Sequence, residues 1–339
     1  MPTRARYSRR RGSAARFPAR TVCTRSRGSG LPSASDVFAS PSTLDEAAAF
    51  LASAYAEGRS VRIGEDLLTD GLDHVLEHEA GDLTCTVEAG VRLSQLRETL
   101  AARGQRLSLD PPGDPTIGAC LAANLSGPLR HRFGAPRDLV LGVTLVLADG
   151  TIANAGGKVV KNVAGYDLGK LVCGSRGTLA LIVRVSLRLH PLPPAARTVV
   201  LETDDTAAVA AAVLRSPLQP SALDILHPGR VALLFEGSAA AVDDQIRRTR
   251  ALVGGEEADP RVWDEVRARQ RAALGRVRFD PGRLGETLAG IDEAIVRPAA
   301  GIAYVPAEAD SDLPDAVRAL NERIRARFDP MSVLVGRAW

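Results

Sequence analysis

All three lysines of this chain lie within one stretch, GGKVVKNVAGYDLGK, at residues 156–170. Every other basic residue is an arginine, so the change of cation at Lys158, Lys161 and Lys170 asks for a physical reason. Lysine is a compact point charge on a flexible stem, whereas arginine is a wide planar fork. We expect Lys161 to act beside a bound group in a narrow cavity, with Tyr166 as a polar neighbour, and the other two lysines to be surface residues.

A second stretch, PTIGACLAANLSG at residues 115–127, has the composition of a loop that holds an anion through its backbone. Its small residues would let the main chain approach a ligand closely, and free N–H groups at a turn attract negative charge. Thr116, Asn124 and Ser126 add short polar side chains. From these residues alone, a nucleotide-binding loop and a packing loop of small residues are equally good interpretations.

Other common binding motifs are missing from the sequence. A Walker A loop is excluded because Ala164 and Leu171 occupy the positions of its first glycine and its hydroxyl residue. No G-x-G-x-x-G follows a predicted strand, which argues against a Rossmann dinucleotide site. The four cysteines are widely spaced, and only His74 and His78 form a close histidine pair. We therefore expect no metal site.

The composition is typical of a globular protein, with 45% hydrophobic and 24% charged residues in 339 positions. Two domains are expected at this length. No apolar run approaches the roughly 18–20 residues that span a bilayer, and isolated cysteines favour a reducing compartment. We expect a cytoplasmic protein, with attachment to the inner face of the membrane through partners as the alternative.

Residues 1–35 differ from the rest of the chain. They hold nine arginines and no acidic residue, so that 34 basic and 40 acidic residues remain beyond them. This composition, without apolar periodicity, predicts a disordered basic tail. A solvated extension without activity is the preferred interpretation, with a transit peptide or a nucleic-acid arm as alternatives. No nucleic-acid partner is expected.

Helix and strand signals surround the two chemically interesting stretches. Thr43 followed by Glu46 is a capping box that begins one helix. The leucines within residues 93–100 align on one face of a second helix. Asp149-Gly150 predicts a hairpin. In TLALIVRVSLRLHP, residues 178–191, alternation predicts a half-buried strand whose polar face is interrupted at Ala180 and Ile182, so we expect something apolar or flat to cover that end.

The pattern changes after the prolines at 191–194. Residues from 195 onward predict the order β-α-β-β-α, with a further strand in GIAYVP and a closing helix in DAVRALNERIRARF. This order is typical of a ferredoxin-like α+β layout. We therefore expect a domain at 36–194, a smaller ferredoxin-like domain at 195–339, and an α+β fold class for both.

Residues 114–182, from DPTIGACLAANLSG to KVVKNVAGYDLGKLVCGSRGTLALI, closely resemble the FAD-binding domain of the vanillyl-alcohol oxidase (PCMH) type. More narrowly, they are similar to the E subunits of bacterial glycolate oxidases, in which K-N-V-A-G-Y-D-L is characteristic. The resemblance runs from about residue 36 to 190, and RIRARFDPMSVLVGRAW also resembles that family's ending. It implies a PCMH-type domain of two α+β subdomains, with FAD between them and its isoalloxazine ring facing the second domain.

The same resemblance implies a set of site residues. Lys161 and Tyr166 would be catalytic. The cofactor contacts would be Gly64, Pro111, Thr116, Ile117, Gly118, Ala122, Asn124, Ser126, Gly127, Gly134, Asp138, Lys161, Gly177 and Ile182. One departure matters: the family's first phosphate loop is usually R-G-G-G-[ST], whereas this chain has Glu65 and Asp66 there. These carboxylates would repel a diphosphate unless they point away from it.

The implied activity is the oxidation of a 2-hydroxy acid, glycolate to glyoxylate, by an FAD-binding subunit. Such a subunit would work beside a hydroxy-acid dehydrogenase subunit that also binds FAD and an iron–sulfur subunit. A scaffold subunit with weak or lost FAD binding is the first alternative, favoured by Glu65 and Asp66. A stand-alone FAD-dependent alcohol or hydroxy-acid oxidoreductase is the second.

Overall fold

The structure, a computed structural model, describes residues 38–157, 167–309 and 314–336. The predicted basic tail lies outside the described residues, as do Lys158, Lys161 and Tyr166. Residues 38–339 form one unit by their internal contacts. This unit contains two large sheets, one of five strands and one of seven. We call the described residues up to 191, which hold the five-stranded sheet, the first region, and residues 195–309, which hold the seven-stranded sheet, the second region. A domain boundary near residue 195 stays a prediction.

The first region is built on an antiparallel five-stranded sheet. Its strands are β1 (Val75–Glu79), β2 (Thr84–Glu88), β4 (Val140–Val146), β5 (Ile152–Gly156) and β6 (Leu181–Arg188), in the order β1-β2-β6-β4-β5. Two short strands, β3 (Gln105–Arg106) and β7 (His190–Pro191), pair beside it. The predicted hairpin at Asp149-Gly150 is confirmed, because β4 and β5 pair in antiparallel register around it.

Helices cover both faces of this sheet. They are α1 (Leu44–Ala56), α2 (Leu93–Ala101), α3 (Ile117–Ala122), α4 (Arg130–Phe133), α5 (Pro136–Leu139) and α6 (Leu168–Val172). The predicted cap of α1 is confirmed: the Thr43 hydroxyl accepts a hydrogen bond from the Glu46 amide at 3.2 Å. The predicted face of α2 is confirmed as well, since Leu93, Leu96 and Leu100 are fully buried.

The second region contains an antiparallel seven-stranded sheet. Its strands are β8 (Ala195–Glu202), β9 (Ala222–His227), β10 (Arg230–Gly237), β11 (Glu256–Ala258), β12 (Gly275–Arg278), β13 (Ala294–Arg297) and β14 (Ile302–Val305). The order is β11-β8-β10-β9-β13-β14-β12. Strands β8 to β11, with α7 (Thr206–Arg215) and α8 (Ala239–Val253), form a ferredoxin-like β-α-β-β-α-β unit, in which the sequence predicts every element except β11. The strand predicted in GIAYVP exists as β14, while β12 and β13 widen the sheet beyond the sequence-based expectation.

Two further helices, α9 (Val262–Ala272) and α10 (Leu284–Ala289), complete the second region and pack on opposite faces of its sheet. The predicted last helix exists as α11 (Asp315–Phe328), but none of its residues is buried, so it does not close a core. No helix among the described residues is long and apolar enough to cross a membrane.

The end of the described chain returns to the first region. Val333 and Leu334 are buried against α1 and its neighbours. The Val61 amide donates to the Val333 carbonyl at 2.7 Å, and the Val335 amide donates back to Val61 at 3.0 Å. The Asp329 carboxylate holds this turn by accepting from the Val333 and Leu334 amides. Residues 329–335 are thus part of the first region's packing, although the sequence placed them in the second domain.

Candidate functional site

A cavity of about 1080 Å³ lies between the two regions. This volume is slightly above the range of about 300–1,000 Å³ that ligand pockets usually have. The first region contributes residues around 63–70, 112–125 and 176–182, and the second contributes residues 270–276 and Tyr304. We call this cavity the cleft and describe its two walls in turn.

Small residues on α3 form one part of the first-region wall. Thr116 begins this helix, and its hydroxyl accepts from the Ala119 amide at 3.2 Å. Gly118 packs so tightly that an added Cβ would lie 2.8 Å from the Cβ of Ala89. This close approach holds α3 against the sheet. Ala119 and Ala122 line the cleft, so the wall there has little side chain in front of the backbone.

The start of β6 continues this wall. Ala180 and Ile182 interrupt the polar face of the strand. They are 2% and 5% exposed, and both line the cleft. Their position explains why apolar residues occur on that face. Gly177 lies just before the strand with φ of 78°, a conformation that favours glycine, and an added Cβ would lie 3.3 Å from the Cβ of Ile63.

The structure brings some of the predicted cofactor contacts to the cleft and not others. Those that line it are Gly64, Thr116, Gly118, Ala122, Gly177 and Ile182. Those that do not are Pro111, Ile117, Asn124, Ser126, Gly127, Gly134 and Asp138. Lys161 and Tyr166, the predicted catalytic residues, lie outside the described residues. All of these assignments stay predictions.

Packing accounts for several of the residues away from the cleft. Ile117 is fully buried in the core of the first region. Gly127 lies directly over the Asp110 backbone, where an added Cβ would be 1.8 Å from the carbonyl oxygen. Gly134 has φ of 81° beside Asp138, whose carboxylate accepts from the Ala135 amide at 2.8 Å. Ile117 therefore packs the core, and Gly127 and Gly134 allow the tight turns in which they lie.

Two buried polar atoms beside the cleft lack partners in the described chain. They are Oδ1 of Asn124 and Oγ of Ser175. Asn124 has φ of 49°, and both residues directly precede or follow residues that line the cleft. Buried polar groups are normally hydrogen-bonded, so these two atoms are candidates for contact with a bound group or with water. The residues of the first-region wall therefore fit a large polar ligand.

Glu65 and Asp66 do not line the cleft. The Asp66 carboxylate accepts from the Arg62 amide at 2.9 Å and from its guanidinium at 3.2 Å, and Glu65 pairs with the same guanidinium at 3.2 Å. Burial opposes ionisation of Asp66, but these hydrogen bonds lower its pKa below the ordinary value. Of the two possibilities left open by the sequence, the structure favours acids that point away from the cleft.

The second-region wall carries long polar side chains that sequence reasoning missed. Arg276 on β12 lies directly opposite Tyr304 on β14, and both line the cleft. The Tyr304 hydroxyl accepts from Nη1 of Arg297 at 3.0 Å, while the Arg297 guanidinium lies 5.0 Å from the tyrosine ring centre. Only the pairing of strands that are far apart in sequence brings these side chains together. Of this wall, the sequence predicts only the GIAYVP strand that carries Tyr304.

Arg297 joins the second region to the first. Its guanidinium, 2% exposed, donates to the Ser126 carbonyl at 3.1 Å and to Oε1 of Gln270 at 2.6 Å. Gln270 also donates to the Ser126 carbonyl, at 2.9 Å. The fully buried carboxylate of Asp224 lies 3.4 Å from Nε of Arg297. Ser126, predicted to contact the cofactor, thus holds the two walls together through its carbonyl.

A second polar contact between the regions lies farther from the cleft. The Arg106 guanidinium donates two hydrogen bonds of 2.6 Å to the Glu236 carboxylate, and both side chains are mostly buried. Arg106 also lies 5.2 Å from the ring centre of Phe133. A bidentate pair of this kind fixes orientation as well as distance.

The sequence is similar to known flavin-binding proteins. A family model described as an FAD binding domain matches residues 35–156. The chain is 31% identical over 201 residues to the glycolate oxidase subunit GlcE of Escherichia coli, covering 58% of this chain and 56% of that protein. It is also 31% identical over 217 residues to the mitochondrial D-lactate dehydrogenase [cytochrome] 1 of Saccharomyces cerevisiae, covering 61% of this chain and 37% of the yeast protein.

A solved structure of an alkyldihydroxyacetonephosphate synthase has a similar fold, with a TM-score of 0.66 over 88% of this chain and 75% of that one. At 15% identity, this likeness concerns the fold alone. It confirms the predicted α+β architecture. The chain spans about half of the length of GlcE and less of the yeast protein.

Proposed function

We propose that this chain is an oxidoreductase with a PCMH-type FAD-binding domain and that it binds FAD in the cleft as a subunit of a glycolate oxidase-like complex; the family match over residues 35–156 and the similarity to GlcE support this. The single observation that carries the proposal is the first-region wall. Small residues there leave the backbone open to the cleft over the segment that the sequence predicts to hold a diphosphate.

The residues proposed to hold the cofactor are those that both line the cleft and match the family's pattern: Gly64, Thr116, Gly118, Ala122, Gly177 and Ile182. Thr116 and the small residues would accept close approach of phosphate oxygens to the main chain. Ile182 and Ala180 offer an apolar surface, 5% or less exposed, on which a flat ring could rest. Because Arg62 holds Glu65 and Asp66, these acids would not oppose the phosphates.

The proposed reaction is oxidation of a 2-hydroxy acid. GlcE is named a glycolate oxidase subunit and several other relatives are named D-lactate dehydrogenases, so both names point to hydroxy acids. The chemistry that FAD supplies when bound is acceptance of a hydride from the carbon that bears the hydroxyl. The hydroxyl proton must also pass to a base. We propose that the ammonium of Lys161 stabilises the negative charge that the flavin gains on reduction, with Tyr166 as its polar neighbour.

The proposed partners are a hydroxy-acid dehydrogenase subunit that binds FAD and an iron–sulfur subunit, through which electrons would leave. The support is the name of GlcE, which describes a subunit of a larger enzyme. A scaffold role with weak FAD binding is less well supported than before, because the pairing of Glu65 and Asp66 with Arg62 removes the observation that favoured it.

Anaerobic titration of the FAD-loaded protein with glycolate and D-lactate tests the proposed reaction. We expect one of these acids to bleach the absorption of oxidised flavin at about 450 nm. Lys161→Ala should slow the bleaching about a hundredfold, because one charge that stabilises the reduced flavin is lost, and Lys158→Ala, the matched control, should leave its rate unchanged. Bleaching at the same rate in both variants would contradict the role of Lys161. A loaded protein and complex that no 2-hydroxy acid reduces would contradict the proposed substrate class.

A further inference from the structure

One face of the second-region sheet is rich in cations where it meets the cleft. In antiparallel pairing, residues directly opposite each other point to the same face, with Cβ atoms about 5 Å apart. Arg276 lies opposite Tyr304 in this way. Arg278 and Arg297 both lie opposite Ile302, two residues further along the same face. Three guanidinium groups and a phenol therefore share one corner of the sheet.

The first region adds cations to the same corner. Arg176 lines the cleft together with Arg276 and Tyr304. Arg130 donates to the Ser126 hydroxyl at 3.1 Å, next to the carbonyl that Arg297 contacts. These residues come from separate turns, helices and strands, so their convergence is a property of the fold rather than of one arginine-rich segment.

Most of this charge has no counter-charge in the part of the chain that the structure describes. No carboxylate there lies within 4.0 Å of Arg130, Arg176, Arg276 or Arg278, whereas Arg297 has Asp224. Burial lowers the pKa of Arg276, and the neighbouring guanidinium groups add to that shift. Arg130 and Arg276 are partly buried, whereas Arg176 and Arg278 are exposed. A partly buried cation without a counter-charge is costly unless an anion joins it. Arg276, which lines the cleft, is therefore placed to receive an oxyanion.

We propose that Arg176, Arg276 and the Tyr304 hydroxyl form a subsite for the carboxylate of a small organic acid. Planar guanidinium groups match the two oxygens of a carboxylate, and a phenol adds one directed hydrogen bond. The inference rests on the proposed function, which it deepens: this chain would bind the 2-hydroxy acid itself, rather than leaving that task to a partner subunit.

A diphosphate is the other oxyanion that such a corner could hold, and the test below separates the two. Of the proposed cofactor contacts, Thr116 and Gly118 lie at the start of α3, away from the corner, whereas Ala122 lies at its end, where its carbonyl accepts from the Arg176 amide. A helix of this length spans about 9 Å. Tyr304 is tied through Arg297 to Ser126, which lies beyond the end of α3.

Titration with oxalate, followed by the spectrum of bound flavin, tests the subsite. In the FAD-loaded full-length protein, Arg276→Gln should weaken oxalate binding about ten- to hundredfold, since a bidentate charged contact is lost, and FAD content should not change. Arg278→Gln is the matched control: it removes the same charge from the same face two residues away from the cleft. Its effect should stay below about threefold.

Three results would overturn the proposal. If both substitutions weakened oxalate binding equally, oxalate would be attracted only by the general positive charge of this face. If Arg276→Gln lost FAD content and oxalate affinity to the same degree, the corner would be assigned to the diphosphate of FAD. Oxalate binding unchanged in Arg276→Gln would remove the subsite. If the protein carries no FAD, oxalate binding to the same variants is measured by calorimetry instead. Loss of oxalate binding in Arg276→Gln but not in Arg278→Gln supports the subsite. Absence of oxalate binding to the unmutated protein contradicts it.

Discussion

The part of the cleft wall formed by residues 115–123 and 177–182 exposes backbone, small and apolar side chains, whereas Gln270, Arg271, Arg276 and Tyr304 opposite expose long polar ones. The first wall comes from two continuous segments that pack on one sheet. The second comes from strands paired across the other sheet. The difference indicates that the two walls bind different ligands. The first wall suits a large cofactor held by the main chain, and the second suits a small ion held by side chains.

Separating the two walls should have the largest effect. Arg297→Met leaves the fully buried Asp224 carboxylate without its cation and removes one donor from the Ser126 carbonyl. The expected loss in unfolding free energy is about 3–5 kcal/mol, measured by urea denaturation. The double variant Arg297→Met/Asp224→Leu should recover most of it, because an apolar pair can replace a buried ion pair. A single variant as stable as the parent protein would contradict the role of Arg297.

Filling the first wall should abolish cofactor binding without unfolding the protein. Ala119→Trp places a large side chain in the cleft from α3. We expect FAD affinity to fall about a hundredfold, equivalent to about 2.7 kcal/mol, measured by equilibrium dialysis. Ala101→Trp, at an exposed position on α2, is the control and should bind FAD normally. Equal FAD affinity in both variants would show that FAD does not occupy this wall.

The mostly buried pair of Arg106 and Glu236 should matter less. Glu236→Gln weakens two charged hydrogen bonds between the regions, and the expected cost is about 1.5–3 kcal/mol in unfolding free energy. Glu257→Gln serves as the control, because Glu257 pairs with Arg197 at the solvent-exposed surface; its cost should be below about 1 kcal/mol. Equal costs would mean that the contact between the regions adds no more than a surface ion pair.

The smallest expected effect is a pH dependence from Asp224. Burial raises the pKa of this carboxyl to about 6, against the opposing charges of Arg297 and Arg267. The folded protein therefore holds a proton that the unfolded chain releases near pH 3.8. The stability from this group is complete below that pH and is lost as pH rises through about 6.

Between those pH values, unfolding free energy should fall by at most about 1.4 kcal/mol per pH unit because of Asp224. Asp224→Asn should remove this slope, and denaturation curves at four or five pH values check it against the parent protein. Identical slopes in the two proteins would show that Asp224 titrates normally.

The contrast between the walls also explains what the sequence could predict. Small residues at 116–123 and the apolar interruption at Ile182 are local patterns that lie at the first wall, although the residues alone fitted a packing loop equally well. Arg276, Arg297 and Tyr304 meet only through strand register, which no local pattern encodes. Likewise, the ferredoxin-like element order and the strand β14 in GIAYVP are local patterns, but strands β11, β12 and β13 and the return of Val333 and Leu334 to the first region depend on distant partners.

Reconstitution with FAD tests the central claim most directly. The purified full-length protein, incubated with FAD and freed of excess by gel filtration, should be yellow, absorb at about 450 nm, and carry one FAD per chain, while Ala119→Trp prepared in the same way should be colourless. A folded parent protein that stays colourless and gains no thermal stability from FAD would contradict the account.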